Sequence, residues 1–236
     1  MVIFWRLLLG HLLADFTFQS NFVNAWKRKS VWGMLGHCAM HPIAYIALTY
    51  PYLNEFWVNT MWVKLQGWTC VLLIFFLHFI EDEWRVFTIF KFKTPDNFLY
   101  FAWDQIIHFA CIWIFFPLAL ADPTGSWIPE KWPVLGCLLV LVTHFCTVLI
   151  YFLEKDLFSG YFPDFDEKYL TMAERLVMAL CFLLPGWWFV PLCAAWMGNM
   201  AYLRYKRLMD FSWFSFYVGG LVAALCGWGA RAIYYS

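Results

Sequence analysis

The feature that most constrains this chain is a succession of apolar runs, each long enough to cross a lipid bilayer, joined by short polar connectors. A helix of about 20 apolar residues spans the hydrocarbon core, where only helices and closed barrels satisfy their backbone hydrogen bonds. Hydrophobic residues form 63% of the chain and charged residues 14%, against roughly 45–50% and about 25% in soluble domains. We therefore predict an all-α, polytopic transmembrane helical bundle.

The apolar runs predict seven or eight spans, at about 2–20, 31–50, 61–87, 98–120, 133–153, 171–205 and 212–234. The run over 171–205 is too long for one upright helix, so it is either one kinked span or a hairpin of two short ones. Three connectors are basic: 27–29, 85–93 and 204–207. The positive-inside rule places basic connectors in the cytoplasm. All three connectors lie on that side only if the run over 171–205 crosses the membrane twice. We therefore expect eight spans, with the N-terminus outside.

Four of the runs each carry two metal-capable side chains four residues apart. The pairs are His11/Asp15, His37/His41, His78/Asp82 and Asp104/His108. A spacing of i, i+4 places both side chains on one face of a helix. Four helices that present such pairs to a shared interior would bind one or two metal ions, as carboxylate and histidine pairs do in di-iron bundles. We predict that these eight residues are metal ligands.

The four pairs are also predicted to share one depth in the membrane. If residues 27–29 mark the cytoplasmic face, every pair lies in the cytoplasmic half of its helix. An Asp at a helix centre costs roughly 2.5–3.5 kcal/mol to insert, which disfavours unpaired carboxylates there. Imidazole and carboxylate together suit a divalent Zn, Mn or Fe ion, with Mg as an alternative. The eight cysteines lie mostly inside apolar runs, so we expect small buried hydrophobes and no thiolate ligand.

Neighbouring polar residues extend the predicted site. Gln19 is four residues after Asp15, so it lies on the same helix face as the pair His11/Asp15. Gln105 directly follows Asp104 of the pair Asp104/His108. Both are candidates for contacting a substrate or for orienting a ligand, and a simple interfacial amide is the alternative. Arg85 shares a helix face with Asp82, so we expect it either to grip a phosphate or to pair with Asp82 or Glu81.

Other charged or imidazole groups are expected to be structural. Residues 27–29 are interpreted as topology determinants first and lipid headgroup contacts second. His144 has no partner at helical spacing, so we expect it to pack or to form a hydrogen bond. Glu174 and Arg175 are adjacent and are expected to form an ion pair with each other.

The motifs LLLGHLLADFTFQS, HCAMH, HFIEDEWR and WDQIIHF, in this order, resemble those of a bacterial and phage integral-membrane family of unknown function. The shared pattern is H-x3-D-F-x-x-Q, H-x3-H, H-x3-D and D-Q-x-x-H, over about residues 3–115. The motif style is more loosely similar to that of LexA-binding, inner-membrane-associated metal-dependent hydrolases. The resemblance implies a bacterial inner-membrane protein and a hydrolase. The chain departs from the pattern in carrying Arg85 where a Lys is expected and Glu81 beside Asp82.

Together these features favour a metal-dependent hydrolase that acts on a lipid or lipid-linked substrate near the cytoplasmic interface. The metal would activate water, with Asp82 or Asp104 as general base. The alternatives are a metal-ion or proton transporter or channel, a di-iron oxidoreductase, and a structural subunit of a membrane complex. The outer halves of the first four spans are almost wholly apolar, which favours a site open on one side.

The domain prediction divides one membrane domain into a metal-site core, residues 1–120, and supporting helices, residues 121–236. The formal net charge is zero, so we expect membrane lipid and no nucleic acid as a partner. The oligomeric state stays open.

Overall fold

A computed structural model of the protein describes residues 2–117, 128–160, 162–206 and 212–235. The chain divides into two compact units, Met1–Val134 and Leu135–Ser236. Helices dominate the described residues, which confirms the predicted helical class, and a two-stranded hairpin is the exception among them. Arg207 of the third basic connector and residues 118–120 of the predicted fourth span lie outside the described residues.

The first unit contains four long helical segments and one short connector helix among its described residues. The helices are α1 (Val2–Leu12), α2 (Asn21–Lys27), α3 (Val31–Thr49), α4 (Gly67–Lys91) and α5 (Phe98–Phe115). A π-helical turn, Leu13–Thr17, continues α1, and a 3-10 turn, Tyr50–Tyr52, follows α3. Side-chain caps begin three of these helices: Ser20 accepts from the N–H of Val23 in α2, Ser30 from that of Trp32 in α3, and Asn97 from that of Tyr100 in α5.

A hairpin occupies the segment before α4. Strands β1 (Phe56–Asn59) and β2 (Lys64–Gln66) pair antiparallel. The third apolar helix therefore begins at Gly67. The sequence predicts a start near Met61, and this prediction is wrong by about six residues. A side chain at Gly67 would not fit, because its Cβ would lie 2.6 Å from the Trp57 ring. The hairpin thus packs directly on the start of α4.

The main apolar core of the first unit lies under this hairpin. Trp57 is buried and donates its indole N–H to the Tyr52 carbonyl at 2.9 Å. Side chains from α1, α3, α4 and α5 surround it: Ile3, Leu7, Tyr45, Cys70, Val71, Ile74 and Ile112. This core occupies one end of the helices, away from the residues around position 82 of α4.

Arg6 is an exception to the apolar character predicted for this end. It is fully buried, and its guanidinium donates to the carbonyls of Leu48 at 2.9 Å and Ile128 at 2.6 Å. It also lies over the Tyr52 ring, 5.2 Å from the centroid. Because Leu48 is in the last turn of α3, the cation satisfies a carbonyl that the helix leaves without a partner.

The helices of the first unit bury their polar side chains and expose apolar ones. On α4, His78 and Asp82 are buried, whereas Leu72, Phe76 and Ile80 are 50–62% exposed. This polarity is the reverse of a water-soluble helix and is typical of a helix whose outer face contacts lipid. In the part of the chain that the structure describes, three helices are long and apolar enough to cross a membrane: Phe98–Phe115, Lys131–Phe158 and Trp213–Tyr235. The length and composition of these helices thus support association with a membrane, and the number of spans, seven or eight, remains a prediction.

The second unit is also built from helices. They are α6 (Lys131–Val140), whose first four residues belong to the first unit, α7 (Cys146–Phe158), α8 (Phe165–Cys181), α9 (Phe189–Tyr205) and α10 (Trp213–Tyr235), with a π-helical turn, Leu141–Phe145, between α6 and α7. The predicted run over 171–205 is two helices, α8 and α9. They lie antiparallel, since Glu174 contacts Arg204 and Cys193 Sγ lies 3.9 Å from the Met178 carbonyl.

The predicted ion pair between Glu174 and Arg175 is wrong. Adjacent residues of a helix point in different directions and do not face each other. The two oxygens of Glu174 accept from Arg204 at 2.8 and 3.1 Å. Arg175 instead donates to the carbonyls of Val142 and Thr143 at 3.0 and 3.2 Å. These carbonyls belong to the π turn, so Arg175 stabilises that irregular segment.

Candidate metal centre

The structure brings all eight predicted ligands into one buried cluster in the first unit. Each is at most 8% exposed. Their side chains come from α1 and its π turn, α3, α4 and α5, which are the four predicted helices. Four overlapping sets have ligand atoms within 4.8 Å of one another: Asp15/His37/His41/His78, His11/His78/His108, Cys38/His78/Asp82 and Glu81/Asp82/Asp104/His108.

Asp15 lies at the centre of the cluster. Its Oδ1 is 3.1 Å from His41 Nε2 and 3.2 Å from His37 Nε2. Ring nitrogens of three further residues lie 3.6–3.8 Å from its oxygens: His11, His78 and His108. Asp15 is on the π turn after α1, and such turns frequently mark functional sites. The carboxylate therefore joins histidines from all four helical segments.

A second group of carboxylates lies on α4 and α5. Asp82 Oδ2 is 3.2 Å from His37 Nε2 and 3.7 Å from His78 Nε2. Glu81 Oε2 is 2.7 Å from His108 Nε2. His78 and His108 thus belong both to this group and to the sets around α1. The histidines and carboxylates thus form two adjoining groups of possible ligand atoms.

Many ligand atoms of the cluster lack a hydrogen bond of acceptable geometry within the described part of the chain. They are both ring nitrogens of His11, His37, His41 and His108, Nε2 of His78, and one oxygen each of Asp15, Glu81 and Asp104. Each buried polar atom without a partner costs roughly 1–3 kcal/mol. Divalent ions could be bound by one ring nitrogen of each histidine and by the carboxylate oxygens, and imidazole with carboxylate is a donor set that Zn, Mn and Fe accept. The residues present therefore fit a metal centre.

Two members of these sets were not among the predicted ligands. Glu81 approaches His108, and Cys38 Sγ lies within 4.8 Å of ligand atoms of His78 and Asp82. Cys38 had been expected to be only a small buried hydrophobe. Spacing could have identified both, because Glu81 is three residues after His78 and Cys38 is three before His41, and i, i+3 residues share a helix face.

Basic side chains contact the site carboxylates directly. Lys27 Nζ is 3.1 Å from Asp82 Oδ2, and Arg85 Nη1 is 2.8 Å from Asp104 Oδ2. Arg85 therefore pairs with Asp104 rather than with Asp82 or Glu81. Lys27, expected mainly to determine topology, is a neighbour of the site.

The connector helix α2 carries Lys27 to this position. A Cβ at Gly33 would lie 2.4 Å from the Trp26 carbonyl oxygen, so only glycine allows α2 to approach α3 this closely. Burial alone lowers the pKa of Lys27, but the carboxylates of Asp82 and Asp15 raise it by more, and the net shift is upward. Lys27 therefore stays an ammonium ion beside the site.

The two glutamines differ in their relation to the cluster. Gln105 is buried and donates from Nε2 to Asp104 Oδ2 at 3.1 Å, so it orients a predicted ligand. Gln19 is half-buried, and its amide oxygen has no hydrogen-bond partner within the described residues. His144 lies in the second unit, and its Nδ1 is 3.2 Å from Thr143 Oγ1, as expected for a hydrogen-bonding histidine.

Comparison with known families identifies one matching model, described as "Protein of unknown function (DUF3307)", over residues 3–135. No curated protein and no solved structure matches the chain. The matched region contains all eight predicted ligands, Lys27, Arg85 and both glutamines.

Proposed function

We propose that this chain, which belongs to the DUF3307 family, is an integral membrane metal-dependent hydrolase. It would act on a lipid or lipid-linked substrate near the cytoplasmic interface of a bacterial inner membrane. The observation that carries the proposal is the buried cluster of histidines and carboxylates, many of whose ligand atoms form no hydrogen bond of acceptable geometry among the described residues. Lys27 and Arg85 compensate Asp82 and Asp104, and a bound ion would compensate Asp15 and Glu81.

The proposed topology has eight spans with the N-terminus outside. Eight helical segments support it: α1 with its π turn, α3, α4, α5, α6 with α7, α8, α9 and α10. The eight-span arrangement requires two crossings over residues 171–205, and the separate helices α8 and α9 can supply them. All three basic connectors would then lie on the cytoplasmic face. In this arrangement the metal cluster lies in the cytoplasmic half of the bundle and the hairpin lies at the outer end.

The chain's own residues are suited to hydrolysis. A bound divalent ion lowers the pKa of a bound water and polarises the scissile bond. His41, His37 and Asp15 would hold one ion, with His78 between the two ligand groups. Asp104 is our candidate for the general base, because Arg85 and Gln105 fix its Oδ2 while its Oδ1 is buried without a partner. Asp82, the other predicted catalytic residue, is better placed as a ligand.

A one-sided site favours hydrolysis over transport. The apolar core under the hairpin closes the first unit beyond the cluster, and its buried cation, Arg6, is bound to backbone carbonyls. A transport path would need polar groups that continue to both faces. Lys27, Arg85 and Asp82 lie on the opposite side of the cluster, which supports access from the basic connectors.

Metal analysis of the purified full chain tests the proposal. We expect stoichiometric divalent metal in the wild type, a loss of most of it in His41→Ala, and no change in His144→Ala, a histidine outside the cluster. Asp104→Asn is expected to retain metal and to lose hydrolysis of bacterial lipid extracts, scored as released headgroup by mass spectrometry. Full metal content in His41→Ala would contradict coordination. Metal uptake by proteoliposomes without any hydrolysis would support the transporter instead.

A further inference from the structure

A group of basic side chains lies between the metal cluster and the surface. Arg28 Nη2 and Arg85 Nη2 each lie 3.0 Å from a different oxygen of Asp96. Asp96 is on the connection between α4 and α5. The two guanidinium groups thus clamp one carboxylate with one charge-assisted contact each, and Arg side chains bind phosphate oxygens by contacts of the same kind. A phosphate has more acceptor oxygens than a carboxylate and carries up to two negative charges, so it is the better ligand for this clamp.

The clamp continues into the metal cluster. Arg85 uses its other terminal nitrogen, Nη1, to contact Asp104 at 2.8 Å, and Lys27 contacts Asp82 at 3.1 Å. When two divalent ions are bound, their charge balances the four carboxylates of the cluster, which belong to Asp15, Glu81, Asp82 and Asp104. Lys27 and Arg85 then add positive charge beside the site, which favours an anionic group there.

Exposure increases outward along the same path. The side chains of Lys27 and Arg85 are 13% exposed, Asp96 is 16% exposed and Arg28 is 34% exposed. Arg85 Nε is buried and has no hydrogen-bond partner within the described residues, so the guanidinium has a donor to spare. On α2, just before Arg28, Phe22 and Trp26 are exposed, as in helices that lie at a membrane surface.

We propose that Arg28, Arg85 and Lys27 bind a phosphate group of the substrate, and that Asp96 occupies the phosphate position until the substrate displaces it. This inference rests on the proposed function. If the chain is a hydrolase, a phosphate site beside the metal narrows its substrate to a phosphate ester. Asp96 acts as an internal competitor, which keeps the basic side chains paired when no substrate is bound. The phosphate belongs either to a lipid headgroup or to a soluble ester.

Charge-neutralising variants test the clamp in the full chain in a neutral detergent. Binding of inorganic phosphate and of dihexanoyl phosphatidic acid is measured by titration calorimetry, and metal content is measured on the same samples. We expect Arg28→Gln to weaken binding about tenfold, because a charge-assisted contact is lost. We expect Asp96→Asn to tighten binding about tenfold, because the competitor is removed. Lys29→Gln removes the same charge as Arg28→Gln at an exposed neighbouring position and is expected to change binding less than about twofold.

Opposite shifts in Arg28→Gln and Asp96→Asn support the clamp, and equal behaviour of all three variants overturns it. If phosphate affinity shifts in opposite directions in the two variants but the purified protein contains no metal, the phosphate clamp is supported and the metal-dependent hydrolase is overturned. Stoichiometric metal without these shifts would overturn the clamp alone. Tighter binding of phosphatidic acid than of inorganic phosphate assigns the site to a lipid headgroup, and equal binding assigns it to a soluble ester.

Discussion

Replacing Asp15 with Asn should reduce the stabilisation that a bound metal ion gives to the folded chain. In the structure the Asp15 carboxylate approaches ring nitrogens of five histidines at 3.1–3.8 Å, so it is the most connected ligand of the cluster. Asparagine has nearly the same size but no charge. It therefore removes the electrostatic attraction to an ion while leaving the packing almost unchanged.

The expected magnitude follows from ligand linkage. An ion at 1,000 times its dissociation constant stabilises the folded state by about 4.1 kcal/mol. If losing the carboxylate weakens binding about 100-fold, the same ion concentration stabilises the variant by only about 1.4 kcal/mol. Without metal, the wild type and Asp15→Asn should differ less in stability than they do with metal, because neither then gains the free energy of ion binding.

Thermal unfolding of the purified chain, with chelator and with added Zn²⁺ or Mn²⁺, measures both states. We expect the metal-dependent rise in apparent Tm to be roughly 5–10 °C smaller in the variant than in the wild type. His144→Gln, outside the cluster, is the matched control and should keep the full rise. Equal destabilisation of Asp15→Asn with and without metal, together with unchanged metal content, would show that Asp15 is structural and refute the coordination argument.

Three further predictions concern stability away from the metal. Arg175→Leu should lower the free energy of unfolding by about 2–4 kcal/mol, because it removes the buried donors that contact the Val142 carbonyl, the Thr143 carbonyl and Thr147 Oγ1, and metal content should not change. Arg6→Leu should cost about 2–3 kcal/mol for the same reason at the end of α3. Trp57→Ala should cost about 3–5 kcal/mol and open the hairpin end of the first unit. Thermal unfolding measures all three, and increased proteolysis between β1 and α4 checks the last.

Those stability predictions have controls in the same chain. Trp62→Ala removes an exposed indole from the hairpin tip and should cost little, unlike Trp57→Ala. Lys29→Gln removes an exposed charge and controls for Arg6→Leu and Arg175→Leu. Costs for the buried arginines as small as that for Lys29→Gln would mean that their carbonyl partners are satisfied in another way.

The candidate site was largely predictable because its signal is local. His37 and His41 share a helix face whatever the rest of the chain does, since the helix itself aligns residues four apart. The same rule applied at i, i+3 would have added Glu81 and Cys38. Helix boundaries were less predictable. The segment before Gly67 is apolar enough to continue into α4, and a short apolar run does not separate strand from helix.

Contacts between elements were not predictable from spacing. Glu174 pairs with Arg204 and not with its neighbour, and Arg85 pairs with Asp104 and Asp96 across the turn between α4 and α5. The partner of a long charged side chain depends on the rotation and height of each helix in the bundle. The two π turns were equally hidden, because the sequence pattern assumes a regular helix through them.

Residue spacing and hydropathy were therefore sufficient to indicate a helical fold with helices of membrane-spanning length and the face of each helix that carries the candidate ligands, because both properties act within one helix. Packing decided the rest: that the four faces meet at Asp15, that Lys27 and Arg85 contact the site carboxylates, and that Asp96 bridges two arginines. Those outcomes depend on distances between segments far apart in the chain, which no local pattern encodes.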